Sequence, residues 1–279
     1  METSYEDSPL GHQVEQQKSY TPSLLYPIPR WDGREMLDIE NPEKLPFHGV
    51  DLWNHYEVSW LDGHGKPVVA VAEFAIPAGS RYIIESKSLK LYFNSLNFTR
   101  FEHRTDFIRR VETDLANVIQ GPVQLTLHLP GLLANSALGE FPGKCLDDQE
   151  LEFDEKTAFV LNALHLQADN GHIVDEELYS DLLRSTCPVT GQPDWASVLI
   201  RYRGPAINHT GLLRYIVSFR DHSGFHEQCV ERIFMDIMRQ CNPINLSVYA
   251  RYTRRGGIDI NPFRSNFEDW PGNVRLVRQ

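Results

Sequence analysis

Polar and apolar residues alternate over DLWNHYEVSWL (51–61) and again over VVAVAEFAIP (68–77), with the Gly-rich turn Asp62-Gly63-His64-Gly65 between them. Alternation of period two on both sides of such a turn predicts a β-hairpin. After Gly79 and the tripeptide Glu85-Ser86-Lys87 the pattern becomes helical through about Ile119, and VQLTLHL returns to strand. A second pass gives a similar order. ASVLIRYRG predicts a strand, Asn208-His209-Thr210-Gly211 a turn, LLRYIVSFRD a second strand, Phe225–Cys241 a helix and INLSVYARYT a last strand. Two passes with one plan predict an internal duplication. The alignment it implies places Glu85 opposite Glu227, and both carboxylates are expected to begin helices.

Hairpins joined by helices, without alternating βαβ units, predict an α+β architecture of two antiparallel-sheet modules with helices on one face of each sheet. Residues 1–30 lack apolar periodicity and carry Pro22, Pro27 and Pro29, so an extended N-terminal arm is expected there. The first module is expected over 31–130 and the second over 175–279. Residues 131–174, rich in glycine and acid, belong to neither pass and read as a connecting segment.

Composition narrows the class. The chain has 279 residues and 41% hydrophobic content, enough for one large core or two ordinary ones. It contains no run of eighteen apolar residues, and METSYEDSPLGHQVEQQ is acidic where a signal peptide is basic and then apolar. No membrane contact is expected, and the cytoplasm is the expected location. A net charge of −11 repels polyanions, so direct nucleic-acid binding is not expected. Cys145, Cys187, Cys229 and Cys241 have no CxxC spacing, which argues against a disulfide framework.

The candidate chemistry lies in two strings. In Cys187-Pro188-Val189-Thr190-Gly191-Gln192-Pro193-Asp194 a turn-borne thiol stands seven residues from a carboxylate. Such a pair can be a nucleophile and its proton partner. The plain alternatives are a small buried hydrophobe for Cys187 and a turn cap before Trp195 for Asp194. In Glu85-Ser86-Lys87-Ser88-Leu89-Lys90 a carboxylate, hydroxyls and two ammonium groups meet at a helix mouth, where polar ligands are readily held. Lys87 and Lys90 also suit a solvated helix face. No GxGxxG follows a strand, so a Rossmann domain is not supported.

ESKSLKLYFNSLN, CPVTGQPDWASV, FHEQCVERIF and RRGGIDINP, in that order, resemble the long, two-module form of the QueF family, the NADPH-dependent 7-cyano-7-deazaguanine reductases. The resemblance runs from about Tyr26 to about Arg264. It implies the tunnelling fold, NADPH as co-substrate, no metal and a homodimer. It also implies that Cys187 attacks the nitrile to give a thioimide, with Asp194 and His226 handling protons. The base is then held by residues matching Ile84, Glu85, Ser86, Phe225, His226 and Glu227, and NADPH by those matching Ser86, Lys87, Arg255 and Gly256. The activity so implied reduces the nitrile to 7-aminomethyl-7-deazaguanine, toward the queuosine base of tRNA.

Two other readings compete. His222, His226 and Cys229, with Cys187 as a possible fourth ligand, are zinc-binding residue types of the kind a zinc-dependent GTP cyclohydrolase uses. A duplicated, non-catalytic purine-binding scaffold accounts for the repeat and the helix-starting glutamates. It leaves Cys187 and Asp194 unexplained.

Overall fold

The computed structural model describes residues 19–133, 138–154, 157–270 and 272–279. Residues 1–18 of the expected arm, and 134–137 and 155–156 of the expected connection, lie outside the described residues. Two compact units share the chain: residues 1–43, 51–137 and 254–260 in the first, and 44–50, 138–253 and 261–279 in the second. Both are α+β with antiparallel hairpins, the class expected from the alternation. No described helix is long and apolar enough to cross a membrane.

In the first unit the elements are β1 (Pro27–Pro29), α1 (Arg30–Glu35), β2 (His48–Leu61), β3 (Pro67–Pro77), β4 (Tyr82–Ile84), α2 (Ser86–Leu96), α3 (Arg104–Ile119), β5 (Gln124–His128) and the short α4 (Pro130–Leu133). Its larger sheet runs β5-β3-β2, and β1 pairs with β4. The alternation of β3 buries Ala70, Ala72, Phe74 and Ile76 on one face, as a half-buried strand requires. They pack with Trp53 and Trp60 of β2 and with Leu89, Phe93, Phe107 and Val111 of the helices. The first three residues of β2 and the last five of β10, introduced below, belong to the second unit.

The second unit contains β6 (Lys144–Cys145), β7 (Ala168–Thr186), β8 (Pro193–Ile207), α5 (His209–Ser218), α6 (His226–Cys241), β9 (Asn245–Tyr252) and β10 (Ile258–Ser265). Strand order is β10-β9-β8-β7-β6. Two sequence expectations need correction. LLRYIVSFRD is not a strand: it lies mostly in α5, and its end forms a 3₁₀ turn. Asn208 caps α5 by accepting from Gly211 N, and Leu212, Leu213, Ile216 and Val217 form its buried stripe. Six of its ten residues are apolar, and Tyr215, Ile216 and Val217 stand together, so a run this short does not separate helix from strand by period. The hairpin partner of β8 is instead β7, whose polar text conceals it.

The duplication is visible in side-chain detail, with a new alignment. Tyr92 OH of α2 donates to Asp114 Oδ2 of α3 at 2.7 Å, and Tyr215 OH of α5 donates to Asp236 Oδ2 of α6 at 2.7 Å. Ser95 Oγ donates to Tyr92 O, and Ser218 Oγ to Tyr215 O, both at 2.6 Å. Both α3 and α6 have 16 residues and end on a left-handed cap, Gln120 or Asn242. In this register the counterpart of Glu85 is Asn208, since each is the N-cap of its module's first long helix. Glu227, second in α6, falls opposite Thr105, second in α3. The expected pairing of Glu85 with Glu227 therefore does not hold.

One buried group makes the first unit sensitive to acid. His55 of β2 is fully buried against Phe93, its ring nitrogens have no hydrogen-bond partner among the described residues, and burial, with the Lys90 charge second, pushes its imidazole down to about 3. The unfolded imidazole accepts a proton near pH 6.5 while the folded one resists it. Its contribution is therefore intact above pH 6.5 and is lost as pH falls toward 3. In His55→Phe, chemical denaturation across this window is expected to give a shallower loss of stability, by up to about 1.4 kcal/mol per pH unit. A slope equal to that of the unsubstituted protein contradicts this.

Candidate active site

The site in the second unit starts from the register of one hairpin. Ser185 of β7 lies opposite Asp194 of β8, and Thr186 lies opposite Pro193. One step further, Cys187 N donates to Gln192 O at 2.9 Å and Gly191 N donates to Cys187 O at 3.0 Å. Gly191 turns the chain at φ +64°, where a Cβ is disfavoured. Side chains alternate along a strand, so Ser185, Cys187 and Asp194 share one face, with Cys187 and Asp194 as diagonal neighbours. Tyr252 of β9 joins that face, because it pairs with Ala196, two residues beyond Asp194.

The N-terminus of α6 meets the same groups. His226, its first residue, brings Nε2 to 3.4 Å from Asp194 Oδ2. The imidazole stacks on the Tyr252 ring, with centroids 3.6 Å apart and planes 3° from parallel. Phe225 is the N-cap residue, and its N donates to Gln228 Oε1, one half of a capping box. Glu227 follows in the first turn, where the helix dipole favours a carboxylate, and is buried. One turn further along α6, Glu231 receives Arg264 Nη2 of β10 at 2.9 Å in a buried ion pair.

Burial dominates the electrostatics. Asp194 is 7% exposed and Cys187 4%. Cys229, one turn into α6, is fully buried, and desolvation pushes its thiol up to about 12. Among the described residues the hydroxyls of Ser185 and Tyr252 make no hydrogen bond of normal geometry, yet both lie close enough to the Cys229 thiol to interact with it. Tyr252 is likewise raised by burial first, with Cys229 and Asp194 adding to the shift.

A second clamp fixes the hairpin. Arg184 and Arg220 both place guanidinium carbons over the Trp195 ring, at 5.6 and 5.3 Å, and Arg184 Nη1 donates to Arg220 O. Thr186 N donates to His222 O at 2.8 Å, and Gly224 N to Thr186 O at 3.1 Å. These contacts tie the tip of the hairpin to the chain entering α6.

The remaining candidates lie in the first unit. Ile84 ends β4 and is buried. Glu85, also buried, caps α2: its two carboxylate oxygens accept from Lys87 N at 2.7 Å and Ser88 N at 2.8 Å. Desolvation raises its carboxyl above the ordinary range against these bonds. Ser86 and Lys87 form the first turn of α2. Lys90 reaches Gly256 O at 2.9 Å and Glu57 Oε2 at 3.0 Å, and the Arg254 guanidinium lies 4.4 Å over the Tyr56 ring. Gly256 and Gly257 sit at φ +62° and +78°, and a Cβ on Gly257 would meet Glu57 Cδ at 2.6 Å. Cations beside a turn of two left-handed glycines suit the phosphates of a dinucleotide.

The structure thus brings Cys187, Asp194, His226, Phe225 and Glu227 together in one unit, and Glu85, Ser86, Lys87, Arg255 and Gly256 fall in the other. Tyr252, Ser185 and Trp195 were not singled out by the sequence. Their signal was the alternation of β8 and β9, which gives faces but not the pairing between strands. Of the zinc-type residues, His222 and Cys229 both approach Gly224, whose added Cβ would lie 3.3 Å from each, whereas His226 turns to Asp194 and Tyr252. Among the described residues no group of three or more His, Cys, Asp or Glu is arranged to hold a metal.

Comparison with known proteins shows what the chain as a whole is similar to. A family model described as nitrile reductase, 7-cyano-7-deazaguanine-reductase N-term, matches residues 16–127, and a second, QueF-like protein, matches residues 193–269. The chain is 50% identical over 271 residues to the NADPH-dependent 7-cyano-7-deazaguanine reductase of Desulfotalea psychrophila, covering 97% of each chain. It is 51% identical over 278 residues to the enzyme of that name from Burkholderia cenocepacia, covering 98% of this chain and 99% of the relative. The enzyme of that name from Cupriavidus necator is 50% identical over 277 residues, with 98% and 99% covered. The chain belongs to the NADPH-dependent 7-cyano-7-deazaguanine reductase family.

The burial of Cys229 gives a direct check. At pH 8 a thiol with a pKa near 12 is ionised to only roughly one part in ten thousand, and the thiolate is the form that alkylates. Iodoacetamide at pH 8 should label the partly exposed Cys145 while Cys229 stays unmodified until the protein unfolds. Peptide mapping that finds Cys229 alkylated in folded protein contradicts the buried placement.

Proposed function

We propose that the protein reduces the nitrile of 7-cyano-7-deazaguanine to the aminomethyl group through a covalent thioimide on Cys187. The observation that carries this reading is the shared hairpin face of Cys187 and Asp194, with His226 closing on the carboxylate from α6. A nitrile carbon is electrophilic but has no leaving group, so a thiol can add across the triple bond. The S–C bond forms, one C–N bond breaks, and the thiol proton passes to nitrogen by way of Asp194. NADPH supplies one hydride at each of two reductive steps.

The chain's residues handle the remainder. Asp194 and His226 deliver the proton that accompanies the first reduction, which leaves an amine-bearing carbon still bonded to sulfur. The Cys187 sulfur then departs and regains its proton, and an imine remains. A second hydride and a second proton complete the amine. Two hydrides and two protons account for the four-electron change.

Glu227 is assigned to the base, because one carboxylate can accept from a ring N–H and the adjacent amino group in a bidentate pair. Phe225 supplies an apolar surface for the ring. Lys87, Arg255 and Gly256 are assigned to the cofactor phosphates, with Lys90 and Glu57 shaping the Gly256-Gly257 turn. The long form of the family favours a homodimer acting on the free base, in the route to the queuosine base of tRNA. A free-base substrate also suits a net charge of −11, which disfavours contact with tRNA itself.

Incubation of the protein with the nitrile and no NADPH is expected to add one ligand mass, mapped to Cys187. Cys187→Ala should give none while binding the base. An adduct that persists in the alanine variant contradicts the assignment.

A further inference from the structure

Tyr252 holds a position that the reaction proposed above does not use. It is fully buried on the face shared by Cys187 and Asp194, its hydroxyl makes no hydrogen bond of normal geometry among the described residues, and its ring lies flat against His226. Two neutral aromatic rings avoid a face-to-face sandwich, because their quadrupoles repel. The same arrangement becomes attractive when one ring is cationic. The stacked imidazole also turns its Nε2 toward the Asp194 carboxylate, 3.4 Å from Oδ2.

Tyr252 is itself held by an unusual clasp. Gln279 is buried, and its side-chain amide is saturated. Its Nε2 donates to Tyr252 O and to Asn261 Oδ1, both at 3.0 Å. Its Oε1 accepts from Arg251 Nε at 2.9 Å and Leu276 N at 3.0 Å. Asn261 Oδ1 in turn accepts from Tyr252 N at 3.0 Å. Both backbone polar groups of Tyr252 are therefore tied to one amide network, in addition to its place opposite Ala196 in the sheet. A side chain that satisfies four bonds while buried costs little to keep and much to disturb.

We propose that Tyr252 is a positioning residue: its ring sets the plane of the His226 imidazole against Asp194, and Gln279 fixes the Tyr252 backbone that carries the ring. The proposal rests on the functional reading for its kinetic consequence, while the placement can be read without any turnover. Tyr252 does not touch the reacting atoms in this account. It acts through His226, and the stack needs the ring and not the hydroxyl.

The test uses full-length protein with ¹³C-labelled histidine and the variants Tyr252→Phe, Tyr252→Leu and Gln279→Ala. The His226 resonance is assigned by its loss in His226→Asn. Without ligand, wild type and Tyr252→Phe are expected to show the His226 ring proton shifted upfield by the stacked ring, and Tyr252→Leu to lose that shift. Turnover in Tyr252→Leu should fall about tenfold or more, as misplacement of a reacting group does. The Michaelis constant for the nitrile should stay within about threefold, and Tyr252→Phe should restore the rate. Gln279→Ala keeps the ring but frees its backbone, so a smaller upfield shift and an intermediate rate are expected, and this variant decides the matter if Tyr252→Leu does not fold.

An unmoved His226 resonance in folded Tyr252→Leu overturns the stack. Wild-type turnover in that variant overturns the positioning role, and wild-type shift and rate in Gln279→Ala overturn the clasp. If the shift behaves as expected but no variant, wild type included, reduces the nitrile, it is the functional reading that fails and not the placement.

Discussion

The interaction on which the second unit depends is the cross-strand pairing of β7 with β8, Ser185 opposite Asp194. A slip of one residue would send Cys187 and Asp194 to opposite faces of the sheet, since side chains alternate with period two. The register is secured from several sides. Gly191 accommodates the turn, Trp195 is gripped by two guanidinium groups, and Thr186 exchanges backbone hydrogen bonds with the chain that enters α6. The same contacts carry His226 to Asp194. One hairpin thereby decides where the thiol, the carboxylate and the imidazole lie.

Burial then gives these groups their character. A carboxylate and an imidazole removed from water interact more strongly than they would on the surface, and a fixed environment need not reorganise as charge moves. The buried Arg264–Glu231 pair at the inner side of α6 is costly to desolvate, so it is weak evidence for stability in its own right. Its geometric effect is clear nonetheless: it ties the helix that begins with His226 to β10. Cys229 shows the other outcome of burial, a thiol pushed up to about 12 by desolvation, three residues from His226.

Much of this was legible in the sequence, and the losses have specific causes. The β2–β3 hairpin, α6 and the turn at Cys187 followed from alternation, helical period and Gly/Pro placement, all local signals. The family strings carried the family itself. LLRYIVSFRD was misread because Tyr215, Ile216 and Val217 form an unbroken apolar run in a short segment, and β7 was missed because ADNGHIVDEELYSDLLRST places charges on its open face. That error shifted the repeat and matched Glu85 to Glu227. The Tyr92–Asp114 and Tyr215–Asp236 hydrogen bonds restore the register. Neither the stacking of Tyr252 on His226 nor the return of Arg254–Ile260 to the first unit has a local signature, because each is a contact between segments far apart in the chain.

The central claim is that Asp194 moves the proton that lets Cys187 add to the nitrile, and the rate of thioimide formation tests it most directly. Stopped-flow absorbance without NADPH would follow that step alone in wild type and in Asp194→Asn, which preserves shape and hydrogen bonding but cannot shuttle a proton. General acid–base assistance is worth about a hundredfold or more. The account predicts that the asparagine variant binds the base yet forms the thioimide slower by about that factor. Formation at the wild-type rate in the folded variant would contradict it.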